Sequence, residues 1–461
     1  MTLILEVICL YKLWRYLMAQ THDANSIPDN LWDVDAQLQF NEALSSTDER
    51  YVDTSDARGD YNLARLYRNL GVDERTMTLR APKPRSYTLF CGHRGCGKST
   101  ELRRLAKQLH RPEAFFVVFL DATVDLDHNN LQYADALLAL AKALFAKLED
   151  KQIALDALHL HGLESWFKER IETDSKTKDF ALEIKAGIKT HSGIPFLGKL
   201  FADISTAVKN NSSYKAELRR IVHDSFGQFS QSFNRFVVAV EDALQTAGQG
   251  QKILFVLDGT DRLSEKDGKR FFIGDVHQLK QIDANFIYCA PIHLLYQGNQ
   301  VQQEFTHFIL PMIKLREKGS EDTLSGGYDC MRKMIDKRVV PALFDAPETL
   351  DMLIEYSGGS PRELFKLMHY AFLRCTQDVF DHKAAAAAVN DLSVDYKRIL
   401  DSGDYPLLVE IDHSPQSDQN SERVRYFLYH LVLLEYNGFW RQSHPVVRRL
   451  AGYTHAVGSH P

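Results

Sequence analysis

The sequence predicts an α/β protein: a parallel-sheet core interrupted by a helical insertion, then a helical region and a smaller C-terminal domain. Three observations predict it. Continuous apolar runs of strand length alternate with helical segments, as strands buried on both faces do. A glycine-rich loop joins the first of these strands to a helix. From residue 329 the apolar spacing turns helical and stays so for several segments.

Composition sets the outer bounds. The 461 residues include 55 Lys+Arg against 61 Asp+Glu, for a formal net charge of -6. The 44% apolar and 25% charged residues suit a folded chain with a large core and exclude a disordered polyelectrolyte. They also argue against an all-round basic nucleic-acid coat, although a local basic patch survives this test. At about 100–200 residues per domain, two to four domains are expected. Cys9, Cys91, Cys96, Cys289, Cys330 and Cys375 form no C-x-x-C and no paired zinc spacing, which fits a reducing cytosol.

The first twenty residues, MTLILEVICLYKLWRYLMAQ, are interrupted by Glu6, Lys12 and Arg15, so they are too broken to span a membrane. They also lack the order of a signal peptide. Three readings stand: an amphipathic helix packed on the body, an interfacial anchor, or an artefact of start-site choice with Met18 as the alternative start. The expectation is a cytoplasmic protein without a membrane partner.

The elements follow in order. Residues 21–50 are polar and turn-rich and read as a mobile lead-in. Residues 60–70 have helical spacing ended by Gly71. Tyr87–Cys91 reads as a strand, KSTELRRLAKQLH as a helix, 115–122 as a strand and 131–149 as a helix. Helical patterns at 153–172 and 214–246 flank a less regular stretch. Strands are expected at 252–258, 285–291 and 307–311. Helices are expected from 329 to 391, then a long apolar helix at 423–435 and two short extended pieces around Asn437-Gly438. The domain reading is 1–50 lead-in, partly disordered; 51–315 core, with the insertion at about 150–250; 316–392 helical lid; 393–461 C-terminal domain.

Gly92-His93-Arg94-Gly95-Cys96-Gly97-Lys98-Ser99 matches G-x-x-x-x-G-K-[ST] between a strand and a helix start. Glycines there let backbone N–H groups turn inward around phosphates, and the helix N-terminus adds its dipole. Residues Gly92 to Ser99, with Thr100, are the candidate nucleotide-binding set. Lys98 would reach the β- and γ-phosphates and the Ser99 hydroxyl would ligate Mg²⁺. Cys96 reads as a small loop filler. The run Ile253 to Asp261 buries a strand whose carboxyl end presents Asp258, the edge where ligands sit in open α/β sheets. Asp258 is the second candidate metal residue. Asp261 is a candidate to orient or deprotonate an attacking water; the alternative is a solvated turn or a helix cap.

These motifs resemble the AAA+/STAND branch of P-loop NTPases, with an origin-recognition-like ATPase module. The likeness lies in GHRGCGKST, in Asp258-Gly259-Thr260-Asp261-Arg262, and in Ser357-Gly358-Gly359-Ser360-Pro361-Arg362-Glu363-Leu364, which is similar to a sensor-2 segment. Arg362 is the matching lid arginine, implied to touch the γ-phosphate, and joins Lys98, Asp258 and Asp261 as a candidate catalytic residue. The segment 51–59 is loosely similar to the stretch that cups adenine in these families. NGFWRQSHPVVRRL (437–450) resembles the wing and last helix of a winged-helix domain. There His444 would be either a phosphate-contacting histidine or a helix cap, and Arg441, Arg448 and Arg449 could meet DNA phosphates.

Two departures matter. The strand 285–291 ends Cys289-Ala290-Pro291 where a polar sensor residue is expected, so either His293 substitutes or hydrolysis is slowed. The 160 positions between Lys98 and Asp258 exceed a compact core, hence the insertion. Its centre, SGIPFLGKLFADISTAV, reads as a packed helical excursion or a contact surface. Among the arginines that could serve a neighbouring subunit, Arg338 stands first, before Arg262, Arg316 and Arg332.

The resemblance implies an ATPase that binds ATP and ADP with Mg²⁺ and hydrolyses slowly. It would act as a molecular switch for signalling or anti-phage defence with a protein partner or effector, and could be a homo-oligomer. The alternative is a DNA-associated AAA+ ATPase, a loader or regulator of transposition or replication. A kinase using the same loop is a third reading.

Overall fold

The computed structural model describes residues 27–461 except 60, 128–129, 175–196, 199, 201, 205–211, 299, 321, 417, 438–439 and 460–461. The reading of residues 1–20, and most of the insertion's centre, lie outside the described residues.

Five parallel strands form the core sheet: β1 (Ser86–Gly92), β2 (Phe115–Asp121), β3 (Lys252–Asp258), β4 (Asn285–Pro291) and β5 (Thr306–Leu310), in the order β2-β3-β4-β1-β5. The middles of β2, β3 and β4 are continuously apolar because both faces are covered, whereas the edge strand β5 begins with the exposed Thr306 and His307. Side chains alternate between two separate cores: Leu254 and Val256 of β3 enter one, Ile253, Phe255 and Leu257 the other. At the carboxyl ends Gly92 lies level with both Pro291 and Leu310, and Asp258 lies level with Asp121. The loop after β1 and the acidic end of β3 therefore share one edge of the sheet.

The insertion, with the helix that precedes it, covers one face. Helices α1 (Tyr133–Asp150), α2 (Ala157–Asp174), α3 (Ser212–Asp224) and α4 (Phe226–Thr246) close the second core. Phe226, Phe229, Phe233 and Phe236 recur at helical spacing on α4, each ring against the next, and Phe236 stacks on Phe145 at 4.7 Å. Of the insertion's centre, Leu197, Leu200 and Ile204 are buried in this same core, which favours packing over a contact surface.

The other face carries the lead-in, the lid and the C-terminal region, all joined to the first core. The lead-in differs from the mobile segment expected. Over 27–50 it holds a helix, Leu31–Gln37, capped by the Asn30 side chain, with Leu31 and Val34 buried. Trp32 meets Phe372 edge-on at 5.2 Å and Asp35 meets His369 at 2.6 Å, so the segment packs on the lid. The lid comprises α5 (Ser325–Asp336), α6 (Pro347–Tyr356), α7 (Pro361–Phe372) and α8 (His382–Lys397). Pro361 at the first turn and the Ser360 side chain accepting the Glu363 N–H fix where α7 begins.

The expected helix 423–435 is corrected. α9 (Glu422–Tyr429) stops short, Leu431 takes φ 62°, and the rest of the run becomes strand β6 (Leu433–Tyr436), antiparallel to β7 (Trp440–Ser443). The cause is the partner strand: Glu435, buried on β6, is held by Arg441 of β7 at 3.1 Å and by Tyr296. Among the described residues no helix is long and apolar enough to cross a membrane.

Candidate active site

The loop between β1 and the helix Lys98–Leu109 turns on two glycines with positive φ, Gly95 (+82°) and Gly97 (+102°). Any other residue would be strained at either. Gly95 is also pinched: a β-carbon there would sit 2.6 Å from Arg362 Cβ. Lys98 is 3% exposed. Its ammonium donates to the Gly92 carbonyl (3.0 Å) and the His93 carbonyl (2.7 Å) and pairs with Asp261 at 2.8 Å. Burial works against the charge, but Asp261 overcomes it and holds the lysine above its ordinary value. Burial likewise acts to raise the Asp261 carboxyl, and Lys98 outweighs it and keeps it below the usual range.

Ser99 and Asp258 meet as the sequence anticipates: the hydroxyl donates to Asp258 Oδ1 at 3.0 Å. Asp258 also accepts the Gly259 N–H at 2.8 Å. Burial, then the charge of Asp261, push its carboxyl above the ordinary value. Two hard oxygen donors side by side suit a divalent cation that takes its remaining ligands from water and phosphate. Asp261 is neither a solvated turn nor a helix cap; it is buried on Lys98.

A cleft opens beside the loop, walled by Gly95 to Glu101, by Gln37 to Leu44 of the lead-in with Arg50 to Val52, and by Arg338, Arg362 and Phe365 of the lid. Arg362 stands at the first turn of α7, its N–H 3.4 Å from the Gly95 carbonyl and its Nε buried without a hydrogen-bond partner. Burial, then nearby Arg262, push its guanidinium below the ordinary arginine value. Among the described residues no carboxylate lies within ion-pair distance of Arg362 or Arg338. An anion in the cleft would relieve both.

The structure brings together Gly92, Gly95, Gly97, Lys98, Ser99, Asp258, Asp261 and Arg362. It turns other loop side chains elsewhere. Thr100 accepts the Leu44 N–H at 3.2 Å, tying the lead-in down, and Cys96 is buried as filler. His93 and Arg94 point at the C-terminal region: His93 at Leu428 and Glu435, Arg94 at the Tyr429 hydroxyl (3.4 Å). His444 caps the turn Pro445–Arg448 and stacks on Tyr396 at 4.6 Å, away from the cleft. His293 packs edge-on against Tyr429 at 5.1 Å and does not line the cleft, so it does not replace the missing polar group after Cys289-Ala290-Pro291.

Arg316 and Arg332 are ion-paired with Glu355 and Asp351, each at 2.7 Å. Arg338 is 5% exposed, donates to the Arg50 and Met334 carbonyls, and lies over Phe365. Burial, then Arg50, push it down to about 10. It lines the cleft of its own chain. Arg441 is committed to Glu435, which removes it from the basic wing set. Arg58 was not anticipated as a site residue. It is 1% exposed and donates to the Thr54 hydroxyl (2.7 Å), the Cys96 carbonyl (2.7 Å) and the Pro311 carbonyl, bracing the loop against the lead-in and β5. It lies in the segment 51–59 singled out from the sequence, but two of its three acceptors, the Cys96 and Pro311 carbonyls, lie 38 and 253 residues away, beyond any local pattern.

One comparison, with a family model, agrees with the phosphate-loop geometry. The family model described as "AAA ATPase domain" matches residues 78–273. No curated protein matches the chain. Among solved structures, the Thermotoga maritima RuvB Holliday junction branch migration motor aligns over 89% of this chain and 98% of its own, with a TM-score of 0.35 and 11% identity. The phosphate loop, the acidic strand end and the family match together make residues 78–273 a P-loop ATPase module of the AAA+ type.

Proposed function

We propose that the protein is a slow ATPase switch, in which the nucleotide bound at the loop sets the position of the lid and, through it, the C-terminal region. The observation that carries the reading is the seating of Arg362 against Gly95, with a buried Nε that no atom of the described residues satisfies. A γ-phosphate would give that guanidinium a partner that ADP lacks, and only such a difference in affinity can shift two conformations. Lys98 would redirect its N–H donors from loop carbonyls to phosphate oxygens, and Asp261, released from Lys98, would orient the attacking water. Ser99 and Asp258 would hold Mg²⁺, which when bound neutralises charge on the β- and γ-phosphates. The absence of a polar side chain at Cys289-Ala290-Pro291 favours slow turnover. By the resemblance to STAND switches, the output goes to a protein partner in signalling or anti-phage defence.

The test is phosphate release from Mg²⁺ATP by wild type, Lys98→Ala and Arg362→Ala, with limited proteolysis in ATP and ADP. Slow release lost in Lys98→Ala, with the ATP–ADP difference in proteolysis lost in Arg362→Ala, supports the switch. An Arg362→Ala variant that still distinguishes the nucleotides sinks it. Release stimulated several-fold by duplex DNA would replace it with the DNA-associated reading.

A further inference from the structure

The second residue of the phosphate loop is held by the far end of the chain. His93 is 1% exposed. Its Nε2 accepts the Glu435 N–H at 2.8 Å, which makes Nδ1 the protonated nitrogen, and Nδ1 donates to the Leu428 carbonyl at 3.2 Å. Both partners are backbone atoms of the C-terminal region, one at the end of α9 and one on β6. The same residue's own carbonyl accepts from Lys98 at 2.7 Å. One residue thus grips the C-terminal region with its ring and the phosphate-binding lysine with its backbone.

The neighbouring contacts run the same way. Arg94 reaches the Tyr429 hydroxyl and its guanidinium carbon lies 5.3 Å from that ring's centre. Tyr436, next to Glu435, donates its hydroxyl to the Gly358 carbonyl at 2.9 Å. Gly358 is in the turn leading to Arg362 and itself needs a positive φ of 61°. Adjacent residues of one short strand therefore touch both the phosphate loop, through the Glu435 N–H on His93, and the turn that leads to the lid arginine, through Tyr436 on Gly358.

We propose that the pair Glu435–Tyr436 reads the state of the nucleotide site through its neighbours, with His93 as the positioning residue that links Lys98 to the C-terminal region. This rests on the switch reading and specifies its route. When phosphate takes Lys98, the His93 carbonyl loses its donor and the loop residue is free to turn. Turning it strains the ring's two hydrogen bonds, so the strain falls on β6. The coupling is reciprocal, as any such linkage must be: a partner that pulls β6 away alters nucleotide affinity.

The experiment is amide hydrogen exchange of the full chain over residues 425–445 and 357–365, nucleotide-free, with ADP and with Mg²⁺ATP, while binding is followed separately by equilibrium dialysis. In wild type the nucleotide is expected to change exchange in both segments. In His93→Ala, exchange at 425–445 should rise at least about tenfold without nucleotide, the factor that loss of even one of the ring's two buried hydrogen bonds corresponds to. It should then no longer respond to nucleotide. His93→Gln, whose Oε1 can accept the Glu435 N–H, should restore the response, which simple destabilisation would not allow. Should His93→Ala fail to fold, Tyr436→Phe should uncouple 425–445 from 357–365 while keeping the packing. If wild type binds nucleotide and 357–365 responds but 425–445 does not, or if His93→Ala responds as wild type does, the route is refuted and the switch stands. If wild type binds no nucleotide, both fall.

Discussion

Replacing Asp261 by asparagine tests how far the site depends on its buried ion pair. Lys98 and Asp261 are 2.8 Å apart and both nearly inaccessible to water. At an effective dielectric constant of about 20, that separation corresponds to roughly 6 kcal/mol of attraction. It is set against a desolvation cost of several kcal/mol for each ion. The net worth of the pair is thus small, but cutting it on one side is not. A neutral amide in place of the carboxylate would leave Lys98 buried, still charged and supported only by two carbonyls. The expected loss is about 3–5 kcal/mol. Lys98→Met should cost a similar amount by stranding Asp261, and the double variant should cost far less than the sum. Urea unfolding at neutral pH, with the slope checked for constancy, measures all three. A loss below about 1 kcal/mol for Asp261→Asn, or additive losses in the double variant, would refute the reasoning.

Other outcomes follow from the same geometry. Burial pushes His93 down to about 3, His293 to about 4 and His444 to about 3. These native values lie below the unfolded value of about 6.5, so the stability they contribute is complete above that pH and drains away as pH falls towards 3–4. With up to three protons taken up on unfolding, the contribution of these histidines to the slope near pH 5 should approach about 4 kcal/mol per pH unit, at about 1.4 per proton, with the buried carboxyls of Glu363 and Glu435 acting in the opposite sense. Urea midpoints that stay flat from pH 7 to 5 would contradict it. Gly95→Ala should place a β-carbon on Arg362 at a φ of +82°, pushing the lid off the loop. Weaker ATP binding and faster proteolysis of the lid are expected, and unchanged proteolysis would show that the lid does not rest there. Arg58→Met should lower stability by about 3 kcal/mol, at about 1 kcal/mol or more for each buried acceptor left unpaired. A thermal shift within a degree of wild type would remove its bracing role.

What was legible in the sequence was local. The strands 252–258 and 285–291 coincide with β3 and β4 because a strand covered on both faces is a continuous apolar run ending at a turn residue. Lys98 and Ser99 were legible because the loop's glycines and its helix start are contiguous. The run 423–435 misleads for the opposite reason. An apolar stretch does not say whether it is helix or strand, and Glu435 becomes a strand residue only through Arg441 and Tyr296. Asp261 was legible as a site residue, but its attachment to Lys98 depends on how two loops meet across the sheet edge. The partners of His93 lie 335 and 342 residues away, beyond any motif.

The division into two cores has a practical consequence. The lead-in, lid and C-terminal region share one core, while the insertion helices share the other, across the sheet. A probe on the outer surface of α4, where Val238 is 55% exposed, would sit on the half that does not contain the cleft. It would serve as a fixed reference against which the travel of a second probe on the lid, at Leu373 for example, could be measured as a change in distance.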